Sequence, residues 1–465
     1  MDVLILARIQ FALTIMFHYI YPVLSIGLGL IMVIVEGLYI KTKNPIYLRM
    51  AQFWTKVFAL TFAIGVATGI VMEFEFGTNW ATYSRYVGDV FGSALAAEGV
   101  FAFFLESGFL AVVIFGWNRV SPKFHFFATT MVCLGAHFSA IWIVIANSWM
   151  QTPAGFKIAG EGMNARAEIT EFWEMVFNPS SMIRLGHVIL GCWLAGAFLV
   201  ISISAYYLLK KKHQIFARKS IIIGLWVAFI TSILQAYSGD SSGKVVAKYQ
   251  PTKLAAMEAL YQTESGVPLT LFGVVNTEEK KIDYAIQIPK LLSFLSFGDC
   301  NAEVKGLDQV NPEDWPNVPV IFNVYRLMIA MWALMFSLSI AGLYLWYKKT
   351  LENHRGILWV MVFSAIYAQV ANQAGWYSAE TGRYPWLVYG LLRISEGLSK
   401  SVKANQVLGS IIMFMCVYLL LFILFVYMLN EKVKHGPEEE IEDDSSTPYH
   451  GLHHLVEENH HDTRL

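Results

Sequence analysis

The sequence predicts an all-α integral membrane protein in which nine transmembrane helices form a bundle, with the amino terminus outside and the carboxyl terminus cytoplasmic. Three observations support this prediction. Of the 465 residues, 56% are hydrophobic and 15% are charged, whereas soluble domains carry about 25% charged residues. Several apolar runs exceed the roughly 20 residues that a helix needs to cross a bilayer. Basic residues also concentrate in alternate loops, which is the pattern that orients membrane proteins.

Apolar segments separated by polar loops define the predicted spans. The first segment contains Pro22, which lacks the backbone N–H that would bond the carbonyl of His18, so the helix is weakened at that turn. This segment is too long for a removable signal peptide and lacks a basic head, so we predict a retained span. The nine spans are predicted at residues 9–37, 53–76, 93–117, 125–149, 183–208, 219–238, 318–346, 357–377 and 404–430.

Loop charge orients these spans and divides the chain into four regions. The loop after the first span holds Lys41 and Lys43, and the loop after the fifth reads "LKKKHQIFARKS". Such basic loops face the cytoplasm, so the amino terminus is predicted to lie outside. The regions are helices one to six (1–238), an outer-side loop (239–317), helices seven to nine (318–430) and an acidic, histidine-containing cytoplasmic tail (431–465), which we predict to be disordered.

Composition also excludes some classes of protein. The formal net charge is −1, so no basic excess indicates a nucleic-acid partner. The four cysteines include no C-x-x-C pair. We therefore predict neither a zinc site nor a disulfide framework.

Ionisable side chains inside the predicted spans are the first candidates for function, because such groups are costly in a membrane. His18 lies in the outer half of the first span, and His187 lies near the outer start of the fifth. Glu98 and Glu106 both lie in the third span. Eight residues of α-helix advance about 12 Å and rotate by about 80°. We therefore predict these two carboxylates on neighbouring faces of the helix, at two depths.

Three further candidates lie in later spans. Arg326 and Met328 lie near the outer start of the seventh span, and Glu380 closes the eighth. Each candidate also has an ordinary structural interpretation: a histidine can bond a carbonyl, a buried glutamate can be neutral, and methionine fills gaps. Together, however, histidine, methionine and carboxylate side chains gathered in one half of a bundle are typical of a haem site. Without a C-x-x-C-H motif, such a haem would be held non-covalently.

Two alternative functions remain open at this point. A proton-coupled transporter could use His18, Glu98 and Glu106 as a relay, but it would be expected to show inverted repeats, which the sequence lacks. A di-haem electron-transfer subunit of a dehydrogenase would usually offer pairs of histidines in facing spans. His125 and His137 lie toward the cytoplasmic side of the fourth span. We interpret these two as local hydrogen-bonding groups or as part of a proton route.

Longer stretches point to a known family. They are "RIQFALTIMFHYIYPVL", "GVATGIVMEFEFGTNW", "AAEGVFAFFLES", "HFSAIWIVIANSWMQTP", "KLAAMEALY" and "NQAGWYSAETGRYPW", in this order along the chain. Over nearly its whole length the chain resembles subunit I of the cytochrome bd quinol oxidases. The resemblance implies a nine-span subunit that pairs with a second, homologous membrane subunit, with room for a small accessory subunit.

The resemblance also implies cofactors and their ligands. The family carries a low-spin haem b, a high-spin haem b and a haem d. His187 and Met328 match the axial ligands of the low-spin haem, with Arg326 close to its edge. His18 and Glu380 match ligands of the two high-spin haems, in an order that the sequence leaves open. Trp376 and Arg383, in the stretch around Glu380, are carried over as cofactor-binding residues.

The resemblance also implies which residues bind quinol and which carry protons. Lys253 and Glu258 match the family's quinol-site pair. Glu106 and Ser139 match positions on a proton route from the cytoplasm, and Glu98 lies near the di-haem site. The implied reaction is oxidation of quinol at the outer face of the bacterial cytoplasmic membrane, with reduction of dioxygen to water. It generates a proton gradient without pumping, because electrons and protons reach the site from opposite sides.

One departure from the family pattern bears on these expectations. The usual G-R-Q-P-W reads here as "GRYPW", with Tyr384 in place of glutamine. Because this residue lies beside Glu380, the details of quinol chemistry or of haem d occupancy can differ. The quinone headgroup, and the choice between haem d and a further b haem, stay open.

Overall fold

Long helices make up most of the computed structural model, which describes residues 2–438. Within that range, eight helices are long and apolar enough to cross a membrane, and a bent pair of helices brings the number to nine. The predicted class of fold is therefore confirmed. The helices are α1 (Val3–Thr42), α2 (Pro45–Thr78), α3 (Ala81–Tyr86), α4 (Gly88–Glu98), α5 (Phe104–Phe115), α6 (Pro122–Gln151), α7 (Phe172–Val176), α8 (Ser181–Lys210), α9 (Gln214–Tyr249), α10 (Pro251–Glu258), α11 (Leu291–Phe297), α12 (Val318–Tyr347), α13 (Arg355–Val362), α14 (Ser364–Thr381), α15 (Ile394–Gly397) and α16 (Ala404–His435).

Short strands connect the helices at one end of the bundle. Each strand belongs to a two-stranded antiparallel sheet. We call this end, which the loop charges predict to be outside, the outer end. The strands are β1 (Phe156–Ala159), β2 (Arg166–Ile169), β3 (Glu264–Ser265), β4 (Leu269–Asn276), β5 (Lys281–Ile288), β6 (Glu303–Val304), β7 (Trp386–Val388) and β8 (Leu392–Arg393).

Several helices extend beyond their predicted ends. The sixth span, α9, continues to Tyr249 rather than ending at 238, and α16 continues to His435 rather than ending at 430. The first helix begins at Val3 and runs without a break through Pro22. Hydropathy marks where a helix enters the apolar layer, whereas backbone hydrogen bonds continue the helix into water. The tail prediction from 439 onward lies outside the described residues.

Two predicted spans are not regular α-helices. The third span joins α4 and α5 through a π-helical turn at Gly99–Phe103. The eighth joins α13 and α14, which meet at Phe363 with a bend of 42°. Such irregularities in a helix often occur at functional sites, and both of these spans carry candidate residues.

The first and fifth spans, α1 and α8, form the centre of the main apolar core. They approach most closely at Gly27 and Gly196, where a Cβ atom on either residue would overlap the backbone of the other helix. Small residues at such a crossing allow close packing in membranes. The rest of the bundle therefore arranges itself around a closely packed helix pair.

The region between α9 and α12 is folded rather than an open loop. It contains the short helices α10 and α11 and the β4–β5 hairpin. Residues of α10 pack with Leu307, Ile321 and Phe322 in a small separate core. This core holds α10 against the outer end of α12, and so determines where Lys253 and Glu258 lie.

Candidate functional site

Helix α14 links the candidate ligands, because it contacts both α1 and α8. Gln373 Nε2 donates a hydrogen bond to the backbone oxygen of Met16 (2.7 Å), which brings α14 to the level of His18. Asn372 Nδ2 donates to the backbone oxygen of Gly191 on α8 (3.2 Å). Gly191 is one helical turn beyond His187. The same few residues of α14 therefore lie near two of the predicted ligands.

The ring of His18 is held by a threonine on α2. His18 Nδ1 lies 3.0 Å from Thr68 Oγ1, and that hydroxyl donates its own hydrogen to the backbone oxygen of Ile64 (2.9 Å). Because a hydroxyl has a single hydrogen, Thr68 accepts from Nδ1, and the ring is assigned the Nδ1–H tautomer. The lone pair of Nε2 is then available for a metal.

His187 shows the same arrangement on α8. Its Nδ1 lies 2.8 Å from Ser238 Oγ on α9, and Ser238 Oγ in turn donates to the backbone oxygen of Gln235. Nδ1 is assigned as the donor to Ser238, and Nε2 lies 3.2 Å from the side-chain amide nitrogen of Gln235, a hydrogen bond that a metal at Nε2 would have to displace. Metal-binding histidines typically donate their second ring N–H in this manner.

Met328 faces α14 at the level of His187. A Cβ atom on Gly375 would lie 2.9 Å from Met328 Sδ, so the sulfur occupies the space that this glycine leaves free. A Cβ on Gly239 would lie 3.8 Å from His187 Cε1. Both side chains thus lie against a glycine of a neighbouring helix.

The other two histidines of interest contact different neighbours. His137 Nδ1 donates to the backbone oxygen of Cys133 (2.7 Å), and its Nε2 accepts from Trp193 Nε1 (2.9 Å). His125 Nδ1 lies 2.7 Å from Glu36 Oε1, and its ring lies tilted against Trp117 with the ring centres 3.8 Å apart. Its Nε2 has no hydrogen-bond partner within residues 2–438. This agrees with the interpretation of both as local hydrogen-bonding groups.

Glu380 lies in a polar cluster at the outer end of α14. Its Oε1 accepts from Asn147 Nδ2 (3.0 Å) and from Gln151 Nε2 (3.2 Å). Its Oε2 accepts from Arg383 Nη2 (2.7 Å). These donors favour the ionised carboxylate, which still has lone pairs free for a metal.

Positive charge predominates around this carboxylate. Arg184 Nη2 donates to Asn147 Oδ1 (2.6 Å), and Lys253 Nζ donates to Gln151 Oε1 (2.5 Å). Arg383 keeps one buried nitrogen, Nη1, without a hydrogen-bond partner among residues 2–438. Three basic side chains therefore surround one carboxylate, and the cluster can accept a further anionic group.

The structure separates the two residues of the predicted quinol-site pair. Lys253 and Glu258 are five residues apart on α10, which corresponds to a rotation of about 140°. Lys253 points toward Gln151 at the end of α6, whereas Glu258 Oε2 accepts a hydrogen bond from Arg326 Nη2 on α12 (2.8 Å). They are not side by side, as a simple pair would be, but lie on two faces of one short helix.

Arg326 is bound tightly to the outer-side segment. It also donates to the backbone oxygens of Thr270 (2.8 Å) and Met257 (2.6 Å), and its guanidinium lies 3.5 Å from the centre of the Phe322 ring. Arg326, which is predicted to lie beside the low-spin haem, therefore also forms an ion pair with Glu258. Because Arg326 is two residues from Met328, this ion pair lies next to the predicted ligand.

Burial controls protonation on α10, outside the membrane-spanning segments. It raises the pKa of Glu258 to about 7, although the positive charge of Arg326 and its hydrogen bond act in the opposite direction. Burial also lowers the pKa of Lys253 well below its usual range, and the charges of Arg184 and Arg383 lower that pKa further. Glu258 is thus suited to exchange a proton near neutral pH.

The carboxylates of the third span lie on the same face, rather than on neighbouring faces as predicted. Ser139 Oγ of α6 donates to Glu98 Oε1 (2.8 Å). One turn away, a Cβ on Gly135 would lie 2.5 Å from Glu106 Cγ. The π turn between the two carboxylates accommodates one extra residue, so eight residues act as about seven, close to two full turns. Both carboxylates therefore face α6.

Sequence reasoning missed two buried acids. Glu36 binds His125 and accepts from Thr129 Oγ1 (2.7 Å). Glu75, on α2, is 2% exposed, and neither carboxylate oxygen has a hydrogen-bond partner within residues 2–438. The stretch "MEFEFG" could have indicated Glu75, because it places an acid next to an apolar span.

Of the remaining predicted residues, Trp376 is half-buried on α14. Tyr384 lies under Arg8 of α1, with the guanidinium carbon 5.4 Å from the ring centre. In the described range, no three histidine, cysteine, aspartate or glutamate side chains form a metal-binding cluster. That is compatible with ligands supplied singly or in pairs.

Together the fold and these side chains define a multi-pass membrane protein with potential metal ligands in the outer half of its bundle. Residues 6–437 match the family model described as "Cytochrome bd terminal oxidase subunit I". The chain is 38% identical to "Cytochrome bd ubiquinol oxidase subunit 1" of Bacillus subtilis (strain 168), over 97% of this chain and 100% of that protein. It is 32% identical to "Cytochrome bd-II ubiquinol oxidase subunit 1" of Escherichia coli (strain K12), over 94% and 97% respectively.

A solved structure agrees with these matches. The bd oxidase from Geobacillus thermodenitrificans superposes with a TM-score of 0.87 at 31% identity, covering 94% of this chain and 99% of that chain. The chain therefore belongs to the cytochrome bd terminal oxidase subunit I family. It is an oxidoreductase subunit, and membership implies haem cofactors and a further subunit as partner.

The residues present fit a haem. His18 and His187 each have Nδ1 held by a hydroxyl of a neighbouring helix, and Met328 Sδ lies beside Gly375 of α14. The unpartnered Nη1 of Arg383 can bind a haem propionate, which is a carboxylate. The donor set is one that holds haem iron.

Proposed function

We propose that this chain is the haem-binding and quinol-oxidising subunit of a bacterial oxidase that reduces dioxygen to water. The observation that carries the proposal is that a hydroxyl of a neighbouring helix holds Nδ1 of His18 and another holds Nδ1 of His187, in a chain of this family. By the family resemblance, His187 and Met328 hold the low-spin haem b, and His18 and Glu380 hold the high-spin haem b and haem d. The protein lies in the cytoplasmic membrane.

Quinol oxidation is assigned to α10 and to the rest of the outer-side region between α9 and α12. Glu258, with a pKa of about 7, accepts a proton from the quinol hydroxyl. Arg326 orients the Glu258 carboxylate through its 2.8 Å hydrogen bond. Lys253, on the other face of α10, lies in the cluster around Glu380 and can donate a hydrogen bond to a quinol oxygen or to a propionate.

Electron transfer follows from the position of these groups. Arg326 binds Glu258 and is two residues from Met328, so the quinol candidate site adjoins the proposed ligand of the low-spin haem. When bound, haem supplies the electron carriers and an open iron coordination position for dioxygen. The chain supplies the ligands, their orientation and the surrounding charge.

Protons for water are proposed to come from the opposite side. Glu106 and Glu98 both face α6, about two turns apart along the third span, and Ser139 binds Glu98. This line of side chains leads from the middle of the third span toward the outer half, where the haem ligands lie. Because these protons and the quinol electrons arrive from opposite sides, charge moves across the membrane without pumping.

The test is a spectrum of the purified complex, reduced with dithionite minus oxidised in air, repeated with carbon monoxide. The proposal expects a low-spin b band, together with a high-spin band that responds to carbon monoxide. A red-shifted chlorin band would identify haem d, and its absence would leave b haems only. A complex without haem would refute the proposal and restore the proton-coupled transporter as the better interpretation.

A further inference from the structure

A line of polar side chains, here called the polar seam, runs between α1, α2 and α16 from the outer end to His18. At its outer end, Asn79 Nδ2 donates to Gln10 Oε1 (2.8 Å), and Ser410 Oγ donates to the same oxygen (3.0 Å). At its inner end, Thr68 binds His18 (3.0 Å). Hydrogen-bonded seams of this type join membrane helices, so these two ends have an ordinary structural explanation.

The middle of the polar seam has no such structural explanation, because its polar groups do not bond one another. Glu75 is 2% exposed, and both of its carboxylate oxygens lack a hydrogen-bond partner in the described part of the chain. The hydroxyl of Thr14 lies beside Glu75 and beside the hydroxyl of Tyr418. Neither hydroxyl oxygen makes a hydrogen bond of normal geometry within residues 2–438. Four buried polar oxygens therefore come together without satisfying one another.

Helical spacing places Glu75 and Thr14 one helical turn from the proposed haem ligand His18, without direct contact. Thr14 is four residues before His18 and four after Gln10, so all three lie on one face of α1. Glu75 is seven residues after Thr68 and four before Asn79 on the matching face of α2. One turn of helix, about 5.4 Å, separates the level of Thr14 from that of His18.

An unpaired carboxylate at this depth needs either a proton or water. Burying an ionised carboxylate without a partner is costly, and none of the ion pairs within residues 2–438 includes Glu75. The groups that face it are the hydroxyls of Thr14 from α1 and Tyr418 from α16, and neither carries a charge at neutral pH. Unsatisfied polar atoms in such numbers are typical of sites that hold internal water.

We propose that Glu75 is a proton-binding group whose proton occupancy follows the redox state of the haem held by His18. The proposal rests on the function proposed above. Glu75 gains one proton when one electron from quinol enters that haem, and loses the proton when the electron leaves for dioxygen. The proton binds at a carboxylate oxygen and arrives through water and the hydrogen-bonded outer end of the polar seam.

The physical reason is charge compensation. An electron added inside a low-dielectric bundle is unfavourable unless a positive charge arrives nearby. Glu75 is the acid of the polar seam, and it faces Thr14 of α1 and Tyr418 of α16, whereas Glu98 and Glu106 face α6. It can therefore be altered without touching the proposed route for substrate protons.

The experiment is redox potentiometry of the whole oxidase complex at several pH values, with infrared difference spectra of the reduced and oxidised states. The relevant haem is the one whose band is lost in His18→Ala. In the unaltered complex its midpoint potential should fall as pH rises, and reduction should produce the carbonyl band of a newly protonated carboxyl. In Glu75→Gln, both the pH dependence and this band should be lost, with all haem bands retained.

Two further variants complete the test. Glu75→Asp should keep the carbonyl band. It should shift the pH at which the plot of haem midpoint potential against pH changes slope. Glu431→Gln, the same chemical change at an exposed residue of α16, should behave like the unaltered complex. If Glu75→Gln keeps both the pH dependence and the band, the proposal is wrong.

If Glu75→Gln binds no haem, the result for Glu75→Asp tests the proposal instead. The proposal is then wrong if the midpoint potential of Glu75→Asp changes slope at the same pH as that of the unaltered complex. Failure of the function proposed above is a separate result, because the unaltered complex would then contain no haem.

Discussion

The ion pair between Glu258 and Arg326 leads to a quantitative prediction for Arg326→Gln. The variant removes a cation that lowers the pKa of the buried Glu258 carboxyl. A hydrogen bond to a charged group contributes about 1.5–3 kcal/mol, and one pKa unit corresponds to about 1.36 kcal/mol. The pKa of Glu258 should therefore rise by about one to two units, from about 7 to about 8–9.

The direction of the pH effect follows from the role of Glu258 as a base. The base must be ionised to accept a quinol proton, so activity is lost as pH falls below the pKa. At pH 7 the ionised fraction should fall from about one half to about 1–10%, which slows quinol oxidation about 5- to 50-fold. At pH 9 the activity of Arg326→Gln should return to nearly that of the unaltered complex, because most of the Glu258 carboxyl is then ionised.

The assay is steady-state quinol oxidation by the purified complex between pH 6 and pH 9.5, with haem content measured in each preparation. Arg393→Gln is the matched control, because Arg393 pairs with Asp314 at 2.7 Å at the outer end, in a more exposed position. It should leave the pH profile unchanged. An Arg326→Gln profile that coincides with the unaltered one, at normal haem content, would show that this ion pair does not control the base.

Three other predictions test the site and the fold. His187→Ala should remove the low-spin haem b band, whereas His137→Ala should keep every haem band, because both ring nitrogens of His137 are already hydrogen-bonded; loss of a band in His137→Ala would contradict this assignment. Deletion of Gly99 should convert the π turn to α-helix and rotate Glu106 by about 100°, away from α6. Dioxygen reduction should then slow while the haem bands persist, and Glu106→Gln should have the same effect because it removes the same proposed proton carrier; an unimpaired deletion variant would refute the role of the π turn. Gly27→Ala should lower the thermal unfolding midpoint of the complex, because its Cβ would overlap the backbone of α8; an unchanged midpoint would contradict the close packing.

The ligand candidates could be found from the sequence, but their chemical state could not. His18 and His187 stand out because a polar residue interrupts an apolar run. Whether a histidine has a nitrogen free for a metal depends on its neighbours. Thr68 holds Nδ1 of His18 and Ser238 holds Nδ1 of His187, whereas in His137 Nδ1 bonds its own helix backbone and Trp193 donates to Nε2. Those neighbours come from other helices, which no local pattern identifies.

Spacing along a helix gave one expectation that tertiary structure changed. Glu98 and Glu106 were expected on neighbouring faces, and a π turn brings both to the face that contacts α6. The family resemblance gave Lys253 and Glu258 as a quinol-site pair, and the fold adds that α10 directs them to different partners. Both arrangements depend on an irregular turn or on packing between segments that are distant in the chain.

The sequence by itself determined the class of fold, the number of spans and the residue types available for chemistry, because burial in a membrane imposes an apolar composition over about 20 consecutive residues. Only the tertiary structure decided which polar groups meet. It joined Glu258 to Arg326, surrounded Glu380 with three basic side chains, and left both carboxylate oxygens of Glu75 without a hydrogen-bond partner within residues 2–438. The physical reason is that hydropathy is a property of one segment, whereas hydrogen bonds and charge pairs depend on the relative positions of several helices.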